Sequence, residues 1–378
     1  MNDDTRAQAV PRTAQRAAAW GAAWPSIAVA ALVIVAAVYS FSPRPQPVFA
    51  PTQIYPDRLL VTGLDRQGER LIAVGEQGQI LIADAAQGPW HSASVEPQRG
   101  STFTRVRFVG DGVAVAVGHD GWIVRSTDGG AHWSEVHYGG DGSDPLLGVA
   151  GPYDGRLFAF GAFGLYLVSE DLGQTWHRRE LVIANAAAQT SPAADPFAST
   201  DPNADPFANF DSSTLGGTGH LNDMARAADG ALVLVGERGL LLRSTDRGET
   251  WTQLDEIYPG SLFGVLTLPS KTLVAFGMRG HAFRSEDNGL SWQEAKVPVA
   301  TSLFAGAVAK DRVFLAGAGN TVLSSRDDGR TYELLTPSAG NTIAALLPLD
   351  DGRWLGGGDN GLAIQTAAGA AATQGEAP

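Results

Sequence analysis

From residue 52 to residue 367 the chain is a succession of short apolar or alternating runs, each ended by glycine, proline, asparagine or aspartate. Alternation with a period of two, and brief apolar runs closed by turn residues, are the patterns of half-buried and fully buried strands. Over 104–138 they predict four strands, at 104–109, 113–117, 122–126 and 132–138. The same succession then recurs.

A Gly-x-x-Gly element between two such runs marks the recurrence. It stands at 75–78, 118–121, 161–164, 236–239, 277–280 and 358–361, with a degenerate copy, Gly-Ala-Gly-Asn, at 317–320. The first glycines are 43, 43, 75, 41, 40 and 41 residues apart, so one interval holds an ordinary repeat plus an insertion. A second motif follows at fixed distance, Ser-x-Asp-x-Gly-x-x-Trp or Tyr. Its five copies are Ser126, Asp128, Gly130 and Trp133; Ser169, Asp171, Gly173 and Trp176; Ser244, Asp246, Gly248 and Trp251; Ser285, Asp287, Gly289 and Trp292; Ser325, Asp327, Gly329 and Tyr332. A weak copy survives at 84–90, and the last repeat keeps only a trace at 365–369.

The chemistry of this second motif is that of a turn. Serine and aspartate oxygens accept hydrogen bonds from turn amides. Glycine supplies a positive φ, and the large amphipathic ring suits a wedge between sheets. An acidic residue repeated in this way reads as a structural staple, not as a catalytic or metal-binding group. Four strands in a repeat of about 42 residues make a β-propeller blade. The fold class expected is therefore all-β, a seven-bladed β-propeller over 52–367. The seventh blade offers only three strands, at 342–349, 353–357 and 362–366, and the segment 52–55 is expected to supply its outer strand.

A run of another kind precedes the repeats. After a polar to small segment, 1–23, with Arg6, Arg12 and Arg16, residues 24–42 are almost wholly apolar and densest at 27–38; a proline-rich linker, 43–51, follows. Arginines before the run and only Arg44 close after it keep the N-terminus cytoplasmic and export the remainder. Two readings stay open: a single-pass signal anchor in an inner membrane with the propeller in the periplasm, or a signal peptide cleaved near Ala50. The anchor is the reading favoured. Residues 368–378 form a tail without strand formers.

Composition excludes more than it proposes. The 378 residues contain no cysteine, which rules out disulfides, thiolate metal sites and a Cys nucleophile. With 27 basic against 40 acidic residues the net charge is −13, against a nucleic-acid partner. The seven histidines show no ligand spacing, and no dinucleotide, phosphate-loop or nucleophile-elbow motif appears. No catalytic residue, metal site or cofactor is expected.

Function is expected on one face. In such a ring the Gly-x-x-Gly loops share a face with the connections between blades, and the serine–aspartate turns lie opposite. The variable pairs within those loops include Ala162-Phe163, Glu237-Arg238 and Met278-Arg279, which makes Arg238 and Arg279 candidates for partner binding. The insertion, 184–219, joins blades three and four. It holds two Ala-Asp-Pro-Phe-Ala segments, four aspartates and no basic residue, and offers Phe197, Phe207 and Phe210 to a partner. Arg99, Arg105, Arg107 and Arg125 cluster in sequence, and alternation puts Arg105 and Arg107 on one face of a strand, as a candidate basic patch.

The Ser-x-Asp-x-Gly-x-x-Trp motifs resemble those of the Asp-box, or BNR, repeat families, which include sialidases, xyloglucan hydrolases and sorting receptors. One seven-bladed ring behind an export segment looks like the photosystem II assembly and stability factor family, whose bacterial relatives include some associated with RND-type exporters. The resemblance covers 52–367 and rests on scaffold motifs. It implies a non-catalytic propeller that assists assembly of an integral membrane protein or complex. The alternative is a glycosidase, sialidase-like or carbohydrate-binding propeller. The Arg-Ile-Pro motif of sialidases is absent, however, and Glu76, Glu237 and Asp223, which could pair as acid and base, are singled out by nothing in the sequence.

Overall fold

The computed structural model describes residues 12–41, 55–184, 219–310, 312–336 and 340–367, for 12–23 and 41 the backbone alone. The chain divides into two units, Met1–Gln53 and Ile54–Pro378. In the first, a helix runs over Arg12–Phe41 with Pro25 inside it. Among the described residues no helix is long and apolar enough to cross a membrane. The segment expected to span a membrane, 24–42, lies in this helix as far as Phe41, and the described residues show no span.

In the second unit the described strands form seven antiparallel sheets in chain order, spanning 61–92, 103–137, 146–178, 221–253, 262–294, 303–334 and 343–365. These are the seven blades. Blade two holds Phe103–Gly110, Val113–Gly118, Ile123–Ser126 and His132–His137, close to the expected strands. Its outer edge also pairs in parallel with Ser94–Glu96 of the preceding connection. Every innermost strand carries the same irregularity, a register shift after its first paired residue (Val61, Phe103, Leu146, Leu221, Leu262, Leu303 and Ile343). Such a bulge strengthens the local twist.

The core lies between blades, because each sheet is apolar on both faces and buries them against its two neighbours. Ile72, Val74 and Ile80 of blade one pack with Val106, Val124 and Trp133 of blade two. Trp176, Trp251, Trp292 and Tyr332 occupy the next four interfaces in turn. The ring closes where Val61, Ala73 and Leu81 of blade one meet Leu362 of blade seven. Blade seven has three strands among the described residues, Ile343–Pro348, Trp354–Gly358 and Gly361–Gln365. The segment expected to complete it, 52–55, lies outside the described residues except for Tyr55. The chain just after it does run along blade seven: Leu362 N–H donates to Pro56 O at 2.8 Å. A Cβ on Gly361 would stand 2.1 Å from Pro56 O, just as one on Gly280 would stand 2.1 Å from Val299 O, so Pro56 passes blade seven where Val299 leaves blade five.

The five serine–aspartate turns are built alike. The serine hydroxyl donates to the aspartate at 2.7–2.8 Å and accepts the glycine amide at 2.9–3.0 Å. The aspartate Oδ1 takes the amide four residues on at 2.9–3.0 Å. Its Oδ2 takes that residue's side chain, the hydroxyl of Thr175, Thr250, Ser291 or Thr331, or the ring of His132. Partial burial raises these carboxyl pKa values, but the hydrogen bonds outweigh it. Asp128, Asp171 and Asp327 are held down at about 2, and Asp246 and Asp287 below the usual range. A carboxyl whose folded pKa is depressed contributes stability above its unfolded pKa and loses it as pH falls through the folded value. The urea midpoint is therefore expected to drop between about pH 4 and pH 2, and an Asp171→Asn, Asp327→Asn double variant to show a flatter fall. Parallel curves for variant and parent would contradict this origin of the acid sensitivity.

Candidate functional site

The Gly-x-x-Gly loops clasp the chain as it enters each innermost strand. In all seven, the amide after the first glycine donates to the carbonyl just before that strand, from Glu76 N–H to Leu60 O in blade one to Asp359 N–H to Thr342 O in blade seven. The first glycine is extended, so its role is close approach: a Cβ would stand 1.9–2.3 Å from that same carbonyl oxygen. Glu76, Glu237 and Asp359 add a second bond, accepting the amides of Leu60, His220 and Thr342 at 3.0–3.1 Å. Loops and blade connections do share one face.

The second variable residue of six loops adopts a left-handed backbone: Gln77, Asp120, Phe163, Arg238, Arg279 and Gly319 at φ 51–67°. Polar residues or glycine fill five of these tips, and blade three places a phenylalanine there. Phe163 is 63% exposed, its ring edge-on to His220 at 5.0 Å. His220 Nδ1 lies 3.5 Å from Glu237, the residue before Arg238 at the neighbouring tip. Bulky residues seldom adopt positive φ, and an exposed aromatic ring gains nothing from burial. Arg279 is exposed at the tip of blade five. His220 stands next to the end of the insertion, so blades three to five gather Phe163, Arg238 and Arg279 on the expected face. Phe197, Phe207 and Phe210 lie outside the described residues.

The basic cluster read from the sequence is split by the fold. Arg99 pairs with Glu135 and stacks 3.6 Å over the Tyr138 ring. Arg125 Nε donates to Leu172 O of blade three at 2.8 Å. Arg105 and Arg107, on the innermost strand of blade two, instead line an inner cavity of about 380 Å³ together with Asp65, Tyr153 and Asp223. The two arginines do share a face, but it is that of the cavity.

The carboxylates of this cavity tie neighbouring blades together. Asp65 accepts Phe108 N–H of blade two at 2.6 Å and Arg66 N–H at 2.9 Å. Asp223 accepts Val265 N–H of blade five at 3.0 Å and Met224 N–H at 2.9 Å. Burial pushes both carboxyls up. It is opposed at Asp65 by the Phe108 amide and then Arg107, and at Asp223 by Arg105 and then the Val265 amide. Glu76 and Glu237 clasp the loop face, so the three acid–base candidates are not brought together. Asp65 went unnoticed in the sequence; the available signal was an aspartate inside an innermost strand. Among the described residues no three His, Asp or Glu side chains group as a metal site.

The chain resembles several solved propellers. YCF48 bound to a D1 peptide matches with a TM-score of 0.60 at 17% identity, over 87% of this chain and 99% of that one. YCF48 from Cyanidioschyzon merolae gives 0.60 at 18%, over 83% and 97%. A virginiamycin B lyase from Staphylococcus aureus gives 0.61 at 14%, over 81% and 94%. No protein-family model and no curated protein matches the sequence. At these identities the likeness is one of fold, shared by a binding protein and an enzyme.

Proposed function

We propose that this chain is a protein-interaction propeller that assists the assembly of a membrane protein, binding a segment of it across the loop face of blades three to five. The observation that carries the reading is Phe163, an apolar ring held out at a left-handed loop tip beside His220 and on the same face as the arginine tips. Residues of this kind are the anchors of interfaces, where a few aromatic and arginine side chains carry most of the affinity. The likeness to a propeller solved with a D1 peptide supports the partner class. Three arginines ahead of the apolar run support an extracytoplasmic site of action.

A photocrosslinker placed at Phe163 is expected to trap a membrane protein in the native host, and one at Thr127 on the opposite face is not. Phe163→Ser is expected to weaken binding of the trapped segment by about tenfold or more. Equal trapping from both faces, or no membrane protein from either, would overturn the reading. Hydrolysis of a glycan panel by the purified chain would replace it with the enzyme.

A further inference from the structure

The inner cavity is more than the seam of the ring. Arg105 and Arg107 stand two residues apart on one strand and both face it. Among the described residues neither forms a salt bridge, whereas Arg99 on the same blade and Arg226 on blade four, also at the cavity, each pair with a carboxylate. Each guanidinium carries five N–H donors in a planar fork suited to a carboxylate. Asp65 and Asp223 each use their two oxygens once, on amides, and a carboxylate has about four acceptor positions. The cavity thus presents two cations with unused donors and two anions with acceptor capacity to spare.

That charge pattern selects a ligand. A simple anion would satisfy the arginines but face two aspartates, and a simple cation would meet the converse. A multiply charged phosphate would face both aspartates, and the third arginine of the lining, Arg226, is already paired with Asp154. A molecule carrying both an anionic and a cationic group matches both sets. At about 380 Å³ the space lies within the usual range for a small-molecule pocket. We propose that the cavity binds a small zwitterion of the amino-acid type. Its carboxylate would be taken by Arg105 and Arg107, and its ammonium by Asp223 and Asp65. This does not rest on partner binding at the loop face.

Isothermal titration of the full chain tests it with acetate, methylammonium, L-alanine, L-glutamine and Gly-Gly. Saturable binding of an amino acid is expected, at least tenfold tighter than acetate or methylammonium, with Gly-Gly distinguishing a free amino acid from a peptide. Arg105→Gln, which breaks no hydrogen bond or salt bridge within the protein though it removes a charge near Asp223, is expected to weaken that binding at least tenfold, and Asp223→Asn likewise. If Asp223→Asn fails to fold, Arg105→Gln alone decides. Phe163→Ser is expected to leave zwitterion binding unchanged, which separates this site from the loop face. Acetate binding as tightly as the amino acids, no saturable binding by any probe, or full binding by Arg105→Gln would overturn the proposal.

Discussion

Trp133→Ala is expected to lower the stability of the propeller by about 3–5 kcal/mol, the range for removing a large aromatic side chain from a packed core. The ring is 1% exposed and lies in the cluster that joins blade one to blade two. It is also fixed by a hydrogen bond from Nε1 to Gly130 O at 2.7 Å. The substitution therefore leaves a cavity at an interface and frees a buried carbonyl. A closed ring gives the damage no edge at which to be shed, since each blade is packed on both sides. The urea midpoint should fall with the m-value unchanged, as expected for lost stability in a single cooperative transition. Trp251 offers a comparison, because its indole nitrogen makes no equivalent bond to Gly248 O, which accepts the Tyr166 hydroxyl at 3.3 Å instead; Trp251→Phe should cost less than Trp133→Phe. A loss below about 1 kcal/mol for Trp133→Ala would show that the wedge does not hold the interface.

These expectations were legible in the sequence because repetition makes register visible. Strand boundaries, the serine–aspartate turns, the interface aromatics and the shared face of loops and connections follow from motifs that recur at fixed spacing. Features that occur once are different. Arg105 and Arg107 read as a surface patch because alternation says that two residues share a face without saying which face it is. That depends on the strand being the innermost of its blade. Asp65 had no repeat partner to mark it, and its bond to Phe108 spans 43 residues. The first glycine of each loop was visible, but its reason was not, since the carbonyl it accommodates belongs to a different strand of the blade. The N-terminal apolar run forms the helix that its composition suggests.

Gly248→Ala is expected to cost on the order of 3 kcal/mol, from two effects that a second glycine separates. The backbone at Gly248 has φ +82°, where an L-residue carries a strain of roughly 1–2 kcal/mol. An added Cβ would also stand 2.6 Å from the Tyr166 hydroxyl oxygen and 2.9 Å from the Phe158 ring. Both side chains are almost fully buried, so neither can swing aside, and overpacking of this kind costs about 1–3 kcal/mol. Gly155 has nearly the same backbone, φ +83°, but nothing lies within 4 Å of its added Cβ. Gly155→Ala should therefore show the backbone strain alone, about 1–2 kcal/mol. The difference between the two midpoints measures how tightly the turn of blade four is pressed against blade three. The same geometry recurs at Gly130, Gly173, Gly289 and Gly329, each directed at a side chain of the preceding blade at 2.8–3.0 Å. Equal losses at Gly248 and Gly155 would mean that these glycines are kept for their backbone alone, and that blade-to-blade packing has slack enough to admit a methyl group.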